Sequence, residues 1–177
     1  MPFDADDRSA ALAVLLVEAA RDGVDAAELH RRFREGEHHL PVATSHHPAV
    51  LALGAELDAL FGGDPDATVA AVDAALARLS VRPRLSTHDG RPPHLHYERD
   101  GADVVERLRV NVTIGLARVV ATDGPDRLGR CAATGCRRVF VDTSRGARRR
   151  FCTAACANRT HVADHRARRR ADRGGRP

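Results

Sequence analysis

The chain of 177 residues is long enough for one compact domain, or for a domain of roughly 100–130 residues with a small appendage. Its net charge of +4 conceals an asymmetry: residues 1–126 hold 13 Arg against 21 Asp and Glu, a balance of −8, whereas residues 127–177 hold 15 Arg against 3 Asp, a balance of +12. No apolar run reaches the length of a membrane span of about 18 residues, and the longest, at 10–20, contains Glu18 and follows acidic residues, which also excludes a secretory signal on this reading.

Residues 8–21 place Leu12, Leu15, Leu16 and Ala19 at helical spacing, with Asp6 or Asp7 available as a cap. A second helix is expected at about 25–34, with Leu29 and Phe33 on one face, followed by a loop at 35–48. Further helices are expected at about 48–61, ended by Gly62 and Gly63, and at about 66–79, with Val69, Val72, Leu76 and Leu79 toward the core. The period then changes. Two short strands flank Asp89-Gly90, a strong turn signal, so a hairpin is predicted with His94 and His96 on one face and Leu95 and Tyr97 on the other. A long helix at about 102–121 carries Val105, Leu108, Val112, Leu116, Val119 and Val120. The Gly/Pro-containing segment 121–129 then coincides with the change of charge and sets an expected boundary between domains 1–126 and 127–177.

All the cysteines lie beyond that boundary, as Cys131, Cys136, Cys152 and Cys156, in the pattern C-x4-C-x15-C-x3-C. Two close pairs separated by a short insert suit a tetrahedral metal site, each pair supplying ligands from one local turn. One structural Zn2+ per chain is the favoured occupant; disulfides and an iron–sulfur cluster are the alternatives. "RVFVD" at 138–142 alternates like a strand, Gly135 relaxes a knuckle between the first two cysteines, and the residues after Cys156 favour a helix whose first turn holds the last two ligands. Knuckle, hairpin and helix make a treble-clef arrangement. The fold class expected is therefore α+β and mostly helical, with a helical N-terminal domain, a small β-hairpin and a C-terminal four-cysteine finger.

Arginines surround this site. Arg145, Arg148, Arg149 and Arg150 precede the last pair of cysteines, and Arg159, Arg166, Arg170 and Arg173 recur along one helical face, widened by Arg168 and Arg169. Such surfaces bind phosphate backbones, and a few side chains can read base edges from a groove. The bland alternative is a solvated tail. DNA is preferred over RNA because aromatic stacking residues are lacking.

The segment from Cys131 to Arg159 resembles the CGNR zinc-finger family, named for a Cys-Gly-Asn-Arg signature that reads Cys156-Ala157-Asn158-Arg159 here. Phe140, Asp142, Ser144, Arg145, Arg149 and Arg150 also stand where the motif has them, while an Asn and a Trp usual in the insert are Gly146 and Phe151. Upstream, residues 83–120 are similar to the end of the ABATE domain, which usually precedes this finger in stress-induced transcription regulators. The resemblance covers 83–173, with 1–82 alike only in helical character. It implies a bacterial cytoplasmic regulator in which a small-molecule or protein effector acts through the N-terminal domain and the finger binds DNA. The DNA contacts expected are Arg145, Arg148, Arg149, Arg150, Asn158, Arg159, Arg166 and Arg170.

Other residues support weaker readings. His88, His94 and His96 cluster around the hairpin and are candidates for a ligand or second metal, against an ordinary hydrogen-bonded polar face. His38, His39, His46 and His47 fall in the expected loop, and His161 and His165 follow the finger at i, i+4. No nucleophile motif, phosphate-cradling loop or paired-carboxylate signature stands out, so an enzyme is not expected. The function expected is a zinc-dependent DNA-binding transcription regulator. The alternatives are a zinc-stabilised module for an acidic protein or RNA, and an enzyme or metal sensor built on the histidine cluster.

Overall fold

A computed structural model describes residues 5–36, 38, 41–87 and 93–174. In chain order the elements are helices α1 (Ala5–Asp22), α2 (Ala26–Glu35), α3 (His47–Leu57) and α4 (Pro65–Ala77), strands β1 (Val81–Ser86) and β2 (His94–Glu98), helix α5 (Val104–Asp123), strands β3 (Leu128–Arg130) and β4 (Val139–Val141), and helix α6 (Ala154–Gly174). The expected mixed, mostly helical architecture is found, with two separate two-stranded antiparallel sheets among the described residues. No helix there is long and apolar enough to cross a membrane.

Aspartates start three of the helices. Asp25, Asp64 and Asp103 each accept the backbone N–H three residues on, satisfying an amide that the helix leaves unpaired. Pro65, at the first position of α4, fits the same logic. Two expectations shift. The third helix stops at Leu57, and a 3-10 turn, Asp58–Leu60, carries the chain on to Gly62 at φ +74°. In α4 the inward face is Thr68, Val72 and Ala75, while Val69 is exposed. Leu76 is partly buried at the edge of that face.

Helix α1 is the spine of the molecule. Its Leu12, Leu16 and Val17 join Val50 and Leu53 of α3 and Leu108, Val112 and Leu116 of α5 in one buried cluster. At Gly54 of α3 the approach is backbone to backbone: a Cβ there would stand 2.1 Å from the Leu16 carbonyl oxygen. At Gly115 of α5 a Cβ would stand 2.5 Å from the Ser9 Cβ. Glycine inside a helix costs stability by itself, and here close packing is what it permits. Gly54→Ala must push α1 and α3 apart, and is expected to destabilise the protein by about 1–3 kcal/mol in a denaturant melt.

The hairpin of β1 and β2 has Ser86 opposite His94, Leu85 opposite Leu95 and Arg84 opposite His96. The face assignment is as expected, but the sheet is turned with its polar side inward. Leu85 and Leu95 are 69% and 52% exposed, whereas Glu98 is buried and His96 largely covered. His88, Asp89 and Gly90 lie outside the described residues.

The finger joins the helical part directly. Leu128 of β3 and Val139 of β4 belong to the same buried cluster as α1, α3 and α5. The Gly62 N–H donates to the Leu128 carbonyl at 2.8 Å, and Arg130 donates to the Asp58 carboxylate and carbonyl at 2.9 and 2.7 Å. Glu18 of α1 accepts the Val139 N–H at 3.2 Å and pairs with Arg138 at 2.8 Å. Burial raises the Glu18 carboxyl pKa, with Arg138 and the Val139 amide opposing that rise.

Candidate metal centre

Strands β3 and β4 pair in register, Leu128 with Val141 and Arg130 with Val139, and the chain between them is the knuckle that carries the first two cysteines. This differs in detail from the expected arrangement. Only β4 lies in the insert between the cysteine pairs, and its partner precedes Cys131. The knuckle is held by the Cys131 N–H on the Arg138 carbonyl and the Cys136 N–H on the Ala133 carbonyl, both 2.9 Å. Gly135, at φ +76°, takes the left-handed turn that lets the chain reverse.

The second pair is built around a helix start. Cys152 stands just ahead of α6 rather than within its first turn, and Cys156 lies inside the helix. Between them the Thr153 hydroxyl accepts the Cys156 N–H at 3.2 Å, so Thr153 caps the helix and fixes the ligand-bearing turn. That role was missed in the sequence, although a threonine immediately before a helix-favouring run is the ordinary signal for it.

The four ligand atoms lie within 4.8 Å of one another. The Sγ separations are 3.7 Å for Cys136 and Cys152, 3.6 Å for Cys152 and Cys156, and 3.8 Å for Cys156 and Cys136. Tetrahedral zinc with Zn–S bonds of about 2.3 Å would set its sulfurs about 3.8 Å apart. A disulfide would require about 2.05 Å. All four cysteines are unbridged, and the space between them suits one ion. The donor set and its edges fit one structural Zn2+ held by Cys131, Cys136, Cys152 and Cys156.

Thiol ionisation makes the same demand. The Thr153 hydroxyl and the neighbouring Cys152 thiol bring Cys156 down to about 7, while burial and the surrounding thiols push Cys152 up to about 12. Crowded thiols cannot all lose their protons at neutral pH unless a cation offsets the charge, which a divalent ion does. Arg159 adds a further positive group, its Nη2 lying 3.4 Å from Cys156 Sγ.

Beside the site, Asp142 is buried and holds the rest of the insert in place. Its carboxylate accepts the Ser144 N–H at 2.9 Å and the Arg149 N–H at 2.8 Å. Burial raises its pKa, but hydrogen bonds from Ser144 and Arg149 and the charge of Arg127 outweigh this and keep it below the usual value. A carboxyl depressed by folding stabilises above its unfolded pKa near 3.9, and that contribution fades as pH falls through the folded value. Asp142→Ala at pH 7 is expected to cost about 2–4 kcal/mol, read from a melt of the zinc-loaded protein. The difference from wild type should shrink only in acid, below about pH 4.

Residues 127–169 match the family model of the CGNR zinc finger. No curated protein matches the chain.

The structure separates the arginines around the CGNR finger by what they touch. Arg149 donates to the carbonyls of Phe151 at 3.0 Å, Val141 at 3.4 Å and Cys152, and its guanidinium lies 4.6 Å above the Phe140 ring. It braces the ligand loop from outside. Gly129 also packs against Phe140, and a Cβ there would fall 2.5 Å from the ring. Arg150 lies over Phe151, and Arg159 reaches the Cys156 sulfur. Arg145, Arg148, Arg166 and Arg170 are exposed and, among the described residues, form no ion pair. Asn158 is exposed as well, and its side chain makes no hydrogen bond there.

Proposed function

We propose that this protein is a zinc-dependent DNA-binding transcription regulator whose finger engages duplex DNA with the arginines that its own fold leaves unpaired. The observation that carries this is the contrast in charge pairing. In the helical part arginines meet carboxylates: Arg21 with Asp58, Arg31 with Glu28 and Glu35, Arg99 with Glu106, Arg109 with Glu56. On the finger, Arg145, Arg148, Arg166, Arg168, Arg169 and Arg170 face solvent with no such partner among the described residues. An unneutralised arginine surface on a metal-fixed helix suits phosphates, and Asn158 beside it is free to meet a base edge.

The N-terminal domain, ABATE-like by its sequence, would receive a small ligand, a protein or a stress signal in the bacterial cytoplasm. A cavity of about 320 Å³ between α1 and the finger supports this, because Val14 and Glu18 line it together with Val141, Arg149 and Cys152. An occupant there would touch both the helical part and the insert of the finger. The test is binding of the full-length, zinc-loaded protein to duplex DNA across a range of salt. Affinity is expected to fall steeply with salt. Binding to an acidic protein or to RNA, with none to duplex DNA, would replace this reading by that of an interaction module.

A further inference from the structure

The hairpin of β1 and β2 turns its leucines to water and its His94, His96 and Glu98 toward the protein. An inward polar row gives up hydrophobic burial, so it calls for its own account. The Nε2 atoms of His94 and His96 face each other at 3.1 Å, with the rings tilted at 45°. Behind them His96 Nδ1 lies 2.7 Å from the Glu98 carboxylate, which is only 4% exposed. Arg84, opposite His96 in the sheet, is 3.8 Å from that carboxylate.

We infer that His94 and His96 form a second, exchangeable metal site, distinct from the finger, for a borderline divalent ion of the zinc, nickel or copper(II) class. Two imidazole nitrogens 3.1 Å apart, each about 2.0–2.1 Å from an ion, subtend an angle of about 95–100° at it. That angle suits adjacent ligands on one centre. Glu98 fixes the tautomer, accepting the proton on His96 Nδ1 and so placing the ring's lone pair on Nε2. Without metal the two Nε2 atoms share a proton in a hydrogen bond. The ion takes the place of that proton, which moves to Nδ1 of His94. Imidazole nitrogen, rather than thiolate, sets the preference for these ions. Among the described residues His94 and His96 supply two ligands against the finger's four, so binding is weaker and faster to exchange than at the four-cysteine site.

The test uses the full-length protein, reduced and carrying one zinc in the finger, equilibrated with Zn2+ at micromolar free concentration and assayed for bound metal. Wild type should bind a second equivalent. His94→Ala and His96→Ala should each keep the first and lose the second. Glu98→Gln should retain the second site with affinity lowered about 10–100-fold. Retention of the finger zinc and an unchanged far-ultraviolet circular dichroism spectrum show that each variant is folded. Saturation of folded wild type at one equivalent overturns the inference without recourse to any variant. So does a second equivalent that survives both histidine substitutions, including one that moves to the exposed pair His161 and His165 on α6.

Discussion

Removing zinc with a chelator, or replacing Cys152 by serine, is expected to unfold the finger and to lower the melting temperature of the helices beneath it. Apart from the cysteines, the finger's own buried cluster contains Ala133 and Phe140, with Phe151 partly buried against them. That is too little apolar surface to hold a 21-residue helix in place. Structural zinc contributes about 10–16 kcal/mol in comparable small fingers, so its loss exceeds what the remaining contacts supply. The effect should spread, because Leu128 and Val139 leave the shared core when the hairpin opens. Elemental analysis should find one tightly held zinc per chain, and circular dichroism should lose helical signal together with it. Metal-free protein, kept reduced, with an unchanged spectrum and melt would refute the structural role.

The second large effect concerns DNA. Replacing Arg166, Arg169 and Arg170 together by alanine should leave the fold intact, since these exposed residues lie on a helix and alanine favours helix. If each meets a phosphate, the slope of log affinity against log salt should flatten by about 2–3, and affinity near 0.1 M salt should drop roughly 10²–10³-fold. Arg149→Ala should behave differently. Its guanidinium is engaged by the carbonyls around Cys152, so the variant should lose finger stability in parallel with any loss of DNA binding. A triple variant whose affinity and salt slope match the wild type would overturn the proposed role of α6.

The metal site was legible in the sequence because ligand spacing is a local property: each cysteine pair is set by one turn, and only the meeting of the two turns depends on the fold. Helix positions were legible for the same reason, down to the buried Leu108, Val112 and Leu116 of α5. What depended on tertiary contact was not. Alternation shows that His94 and His96 share a face, but not that this face turns inward, because that is decided by what the hairpin rests on. Gly54 reads as a flaw in a helix until Leu16 is found against it. Arginines are indistinguishable in a charge count, yet Arg149 closes a loop and Arg166 faces solvent. The finger's hairpin was misplaced because β3 is only three residues long and carries no alternation of its own.

The sharing of Leu128 and Val139 with the helical core bears on how such a finger can travel between proteins. Fused behind an unrelated partner, residues 127–174 would present those two side chains to water and leave the Val139 amide without its glutamate. A successful graft must therefore bring along a surface equivalent to α1, or recode Leu128 and Val139 as polar residues. Moving the zinc ligands alone moves the clamp without its foundation.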